Sequence, residues 1–194
     1  MPTALPHRAR YARMAATLAI AGVLALAAWA GWQWLQRQPF WILMQARAEL
    51  MAMPVPDALP VPVAGVRARA IADTWGAPRG TDRTHQGVDI FAPRGTPVAS
   101  TTRGIVVSVR EGGLGGRQVW VLGPAGERHY YAHLDDWAAG LAVGRIVEAG
   151  TPLGTVGTTG NARTTPPHLH YGIYGAGGAL DPLPRLRAMS DASR

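Results

Sequence analysis

The apolar and polar positions of this chain fall into two regimes. Residues Met14–Leu35 form a run of 22 residues with no charged side chain, and after Pro39 a second, largely apolar run covers Phe40–Met53. The first is about the length, ~20 residues, that a helix needs to cross the hydrocarbon core of a bilayer. The second predicts a short helix, begun by the break at Pro39. From about Val66 onward the apolar positions come in short β-rich runs punctuated by glycine and proline: Gly87–Phe91, Thr96–Ser100, Ile105–Arg110, Gln118–Leu122, Arg128–Leu134 and His168–Tyr174. Strands of this length and spacing predict an all-β domain, an antiparallel sandwich or barrel-like sheet, behind an N-terminal transmembrane helix. The pair Gly95-Thr-Pro-Val98 and Gly150-Thr-Pro-Leu-Gly154, each leading into a β run, hints at a repeated element.

Flanking residues orient the first run. His7, Arg8, Arg10 and Arg13 precede it, while Trp29, Trp32 and Trp34 lie toward its far end. Arginines hold the N-terminal side in the cytoplasm and tryptophans suit the opposite interface, so the remainder is expected outside the cytoplasmic (inner) membrane, tethered by a single pass on the periplasmic or extracellular side. Ala28-Trp-Ala30 before Gly31 has the small-x-small form of a signal-peptidase site. The apolar run outlasts a typical signal core, which favours a retained anchor. The segment Pro54-Val-Pro-Asp-Ala-Leu-Pro-Val-Pro62 favours extended chain; it reads as a stalk, or as a strap that wraps the domain and hides its valines and leucine. The expected organisation is a basic leader over 1–13, an anchor over 14–35, a helix and proline-rich stalk over 36–66, the β domain over 67–187 and a tail over 188–194.

Composition narrows the chemistry. All 19 basic residues are arginine and the formal charge is +7. Residues 1–53 hold five arginines and one glutamate, so more than half of that excess belongs to the leader and its surroundings. No basic run or aromatic-interleaved basic strand marks the β region, so nucleic acid is not an expected partner. With no cysteine, thiolate metal sites, disulfides and cysteine nucleophiles are excluded. With no lysine, a biotinyl or lipoyl carrier role is excluded as well, although Gly95-Thr-Pro-Val and Gly104-Ile-Val-Val107 have the look of such barrels.

Three short pieces carry the candidate chemistry: His85-Gln-Gly-Val-Asp89, Tyr131-Ala-His133-Leu134 and His168-Leu-His170. Side chains alternate faces along a strand, so His168 and His170 share a face about 7 Å apart, and His85 and Asp89 do likewise. Imidazole and carboxylate suit zinc, and three protein ligands leave the open fourth position of a catalytic site. Glycan hydrolysis normally requires a pair of carboxylates flanking the bond, and only one belongs to this constellation.

Together with Thr158-Thr-Gly160-Asn161 and the glycine landmarks Gly95, Gly104 and Gly150, these motifs resemble the LytM/lysostaphin-type zinc metallopeptidases, which cut peptidoglycan peptides. The resemblance extends from about Trp75 to Pro184. It implies His85, Asp89 and His170 as zinc ligands, with His133 and His168 as catalytic residues beside the metal, and peptidoglycan stem or cross-link peptides as substrate. Relatives that lack part of the metal set instead bind peptidoglycan or activate a partner amidase. That gives the alternative reading, a non-catalytic module, and admits a regulatory protein partner, but all five positions are present here. Two departures from the family pattern, Pro166-Pro167 before His168 and the loop Gly112-Gly-Leu-Gly-Gly116, leave the ligands untouched and reshape the expected groove walls. His129, four residues before His133, is read as a solvated or rim residue; Asp135 and Asp136 as turn residues; Tyr131 as either groove lining or core.

Overall fold

The computed structural model describes residues 7–79 and 83–191, and the chain divides into two compact units, Met1–Gln45 and Ala46–Arg194. Helix α1 (His7–Gln36) dominates the first unit, and its stretch Arg10–Gln36 is long and apolar enough to cross a membrane. The turn at Arg37–Gln38 closes on the carbonyls of Trp34 and Leu35. Helix α2 (Pro39–Ala52) follows, and its leading Pro39 occupies a first-turn position where a missing N–H costs nothing. The boundary between the units falls within α2.

The second unit is built on antiparallel sheet. Its strands are β1 (Pro78–Arg79), β2 (Arg83–Thr84), β3 (Val88–Phe91), β4 (Pro97–Ala99), β5 (Gly104–Gly112), β6 (Gly116–Leu122), β7 (Arg128–Trp137), β8 (Ile146–Val147), β9 (Pro152–Val156), β10 (His168–Gly175) and β11 (Gly178–Leu180), followed by helix α3 (Leu183–Asp191). The main path runs β11-β10-β7-β6-β5-β8; β3 pairs with β10, and β9 pairs with both β4 and β7. The all-β, barrel-like expectation needs correction on two counts. Among the described residues there are three α-helices, and no pairing joins β11 to β8 to close a barrel.

Alternation along the strands sorts core from groove. Leu169, Tyr171 and Ile173 of β10 are fully buried beside Val88 and Ile90 of β3, Val119 and Val121 of β6, and Leu134 of β7. The proline-rich segment contributes to the same core through Leu59 and Val63, each 1% exposed. Its backbone is pinned as well: Ala99 N–H donates to Pro62 O, Ala64 N–H to Pro97 O and Leu59 N–H to Arg185 O. In this structure the segment is therefore a strap, because its apolar side chains gain roughly 1.5–3 kcal/mol each by leaving water. Helix α3 begins where Asp181 Oδ1 accepts the Leu183 N–H, and it buries Leu183 and Leu186. Arg185 grips the buried Glu127 through two hydrogen bonds of 2.6 and 2.9 Å.

A polar cluster is sealed inside the core. Thr101 Oγ1 lies 2.9 Å from the Tyr131 hydroxyl and 2.8 Å from that of Tyr171, which in turn lies 2.8 Å from His129 Nδ1. His129 Nε2 has no partner among the described residues. Burial, aided by the nearby Arg185 charge, pushes the His129 pKa down to about 3. An unfolded histidine titrates near 6.5, so the unfolded chain binds the extra proton first and stability falls as pH drops from about 6.5 towards 3. The loss amounts to about 4 kcal/mol for this one group. Denaturant unfolding at pH 7 and pH 4 should show this fall in wild type and a shallower one in His129→Leu. An unchanged slope would remove His129 from the account.

Candidate metal centre

Strand register assembles the site. On β10, His170 lies directly opposite Asp89 of β3 and, on its other side, opposite Ala132 of β7. His85 is delivered from the turn after β2, fixed by His85 N–H to Ala77 O at 2.8 Å and Gly76 N–H to His85 O at 2.9 Å. The turn can press this close because residue 87 is glycine. A Cβ there would lie 2.5 Å from Tyr171 O and 2.7 Å from His170 Cε1, closer than packing allows.

The three side chains converge at one point. His85 Nε2 is 2.8 Å from His170 Nδ1 and 3.0 Å from Asp89 Oδ1, and His170 Nδ1 is 3.1 Å from Asp89 Oδ1. Surrounding groups fix which atoms point inward. His85 Nδ1–H donates to Thr74 O at 2.6 Å, so its Nε2 is a bare acceptor. Thr74 Oγ1 accepts the Asp89 N–H at 3.0 Å, and Arg79 pairs with Asp89 Oδ2, leaving Oδ1 to the centre. Two inward acceptors, His85 Nε2 and Asp89 Oδ1, cannot satisfy each other without a cation or proton between them. Two imidazoles and one carboxylate are a zinc-type donor set, and edges near 3 Å are what three ligands about 2.0–2.2 Å from a common ion can span. Outer partners of this kind, a carbonyl on the far nitrogen of a histidine above all, orient metal ligands. Burial alone raises the Asp89 pKa, but the neighbouring His170 and His85 outweigh it and hold the carboxyl well below its usual range. Burial lowers the His170 pKa.

His133 and His168 flank this triad, with ring centroids 5.0 Å apart. His168 Nδ1–H donates to Pro166 O at 2.8 Å, and its Nε2 lies 3.8 Å from Asp89 Oδ1. His133 Nδ1–H donates to Thr159 O at 2.9 Å. Burial, with the neighbouring His168 and His170, brings the His133 pKa down to about 4, so this ring is neutral at pH 7. Its backbone is left-handed, with φ 63°. Such a conformation costs about 1–3 kcal/mol in a residue with a side chain. The loop against it holds it in place: His133 N–H donates to Gly115 O at 2.8 Å, and Gly116, itself at φ 61°, packs so closely on Thr159 and Gly160 that no Cβ would fit.

The inversion at His133 explains what regular alternation gets wrong. A flat strand would put His129, Tyr131 and His133 on one face. Instead Tyr130, Ala132 and His133 line the groove, while Tyr131 and His129 are both 0% exposed in the core. His129 is therefore not a solvated or rim residue, and Tyr131 is core. All five expected site residues meet in one groove of about 450 Å³, walled in part by Leu114 and Gly115 of the glycine-rich loop and by Asn161. Asp135 pairs with Arg94 at the surface, away from the triad. Thr74 and Arg79 are additions, since both precede the first motif and nothing in their spacing singles them out.

Fold and site together place the chain in the metallopeptidase class. It belongs to Peptidase family M23, which it matches over residues 83–182, a span that includes all five residues. The L-Ala–D-Glu endopeptidase of Bacillus subtilis (strain 168) is 42% identical over 126 residues, which are 59% of this chain and 39% of that protein. The chain thus spans well under half the length of this curated relative. Among solved structures, the catalytic domain of lysostaphin from Staphylococcus simulans aligns with a TM-score of 0.54 at 32% identity, covering 62% of this chain and 95% of that domain. A zinc-containing peptidase from Vibrio cholerae aligns with a TM-score of 0.56 at 28% identity, covering 65% of this chain and 39% of that one.

Proposed function

We propose that this protein is a zinc endopeptidase of the cell envelope, hydrolysing peptide bonds in peptidoglycan stems or cross-links. In this reading residues 14–35 anchor it in the cytoplasmic membrane, and residues 67–187, with the strap, work on the outer side. The observation that carries it is the convergence of His85 Nε2, Asp89 Oδ1 and His170 Nδ1 beside two further groove histidines. Zinc held by His85, Asp89 and His170 would supply a Lewis acid that polarises a carbonyl and makes a water nucleophilic near neutral pH.

The chain's own residues supply the rest. Each of His133 and His168 has its Nδ1–H committed to a backbone carbonyl, so each turns an Nε2 lone pair to the groove. In that state an imidazole can take a proton from the attacking water, and once protonated it can give one to the leaving amine. The pair shares these two roles in our reading. Stem peptides containing D-amino acids fit better than glycine bridges, because the L-Ala–D-Glu endopeptidase is more similar in sequence than lysostaphin is, at 42% against 34% identity.

Intact sacculi incubated with the zinc-loaded, detergent-solubilised full chain should release fragments bearing new amino termini and no new reducing sugar ends. New reducing ends without new amino termini would refute the peptidase reading. Neither product, at full metal occupancy, would favour a binding module or an amidase activator.

A further inference from the structure

Beyond His170 the groove face of the sheet continues as a run of aromatic rings. Cross-strand register sets Trp120 of β6 opposite Tyr130 of β7, and Tyr130 opposite Gly172 of β10. Trp120 and Tyr130 stack with centroids 4.3 Å apart, and Tyr130 meets the His170 ring edge-on at 5.7 Å. Tyr174 lies 5.2 Å from Trp120 and covers Gly172, where an added Cβ would sit 3.0 Å from its ring. All three rings are partly exposed. Tyr174 lies four steps along the strand from His170, so the surface reaches roughly 13 Å from the metal centre.

Two arginines edge this surface. Arg128, opposite Tyr174 in the register, holds its guanidinium 5.6 Å over the Trp120 ring. Arg110 lies opposite Gln118, whose Oε1 accepts from Trp120 Nε1 at 3.4 Å, and its charge is felt at the Tyr130 phenol. Both are exposed, and neither has a carboxylate partner among the described residues. The groove itself is lined by Arg79 and Arg83 and by no acidic side chain except Asp89, among the described residues.

We propose that Trp120, Tyr130 and Tyr174 form a shelf for the substrate arm on this side of the metal centre, and that Arg110 and Arg128 hold a free carboxylate on that arm. The groove thereby selects acidic peptides over neutral ones. Flat rings give an extended chain apolar area with little side-chain entropy to lose, and a stacked guanidinium keeps its N–H edge available for a carboxylate. The proposal rests on the reading of the groove as a peptide site.

The test uses two fluorescein-labelled stem-type peptides, identical except that one carries a free glutamate carboxylate where the other carries the amide. Binding to the zinc-loaded full chain in neutral detergent is followed by anisotropy at low salt, with products checked by mass spectrometry in the same samples. The acid should bind about 10-fold or more tightly than the amide, a gap that narrows with salt and collapses in the double variant R110Q/R128Q. Equal affinities in wild type, or a gap that survives in the double variant, would overturn the shelf whether or not the peptides are cut. Acid-selective binding without cleavage would sustain the shelf and count instead against the endopeptidase reading.

Discussion

His85→Ala and His170→Ala proteins should emerge from dialysis against a chelator with far less than one zinc per chain, where wild type keeps about one, and should release no peptide from sacculi. Each substitution removes one of three atoms that converge within 2.8–3.1 Å. Loss of an outer partner to a metal ligand typically costs 10–100-fold in affinity, and loss of the ligand itself should exceed that. Elemental analysis provides the check. Full zinc retention by both variants would show that the triangle is held by hydrogen bonding alone and is not the metal centre.

The converse pattern is expected for His133→Ala and His168→Ala, which should keep zinc and lose about 10²–10⁴-fold in turnover, the usual contribution of a general acid or base. Neither ring forms an edge of the triangle, and each is tied to a backbone carbonyl. Stability should fall by about 1–2 kcal/mol, because each substitution leaves one carbonyl, that of Thr159 or of Pro166, without its donor, and alanine does not relieve the left-handed strain at position 133. Metal content, melting temperature and peptide cleavage measured on the same samples separate these effects. Near-normal cleavage by both variants would show that the acid and base lie elsewhere.

Much of this arrangement is legible in the sequence because it is local. His85 and Asp89, and His168 and His170, owe their shared faces to short spacings, and six of the β runs stand out through their glycine and proline borders. What the pattern hides is set by tertiary contact. The inversion at His133 depends on the loop through Gly115 and Gly116, so a period-two reading sends His129 to the rim and leaves Tyr131 undecided. The short pairings of β1, β2 and β8 have too few residues to show a period. Helix α3 is announced by little more than Asp181, and Thr74 and Arg79 acquire their roles from the packing of the first turn on β3.

The strap gives the domain a mechanical property. Tension applied to the chain ahead of Ala46 is met first by the buried Leu50 and the Arg103–Glu49 ion pair of α2, and then by Leu59 and Val63 with their backbone pairs to β4 and α3. None of those backbone hydrogen bonds reaches β3, β7 or β10, which carry Asp89, His133, His168 and His170. A pull must first strip Leu50, Leu59 and Val63 from their buried positions, at roughly 1.5–3 kcal/mol each, before load is passed to the strands that carry these residues. The strap thus works as a sacrificial link: it can peel while the histidines stay in register.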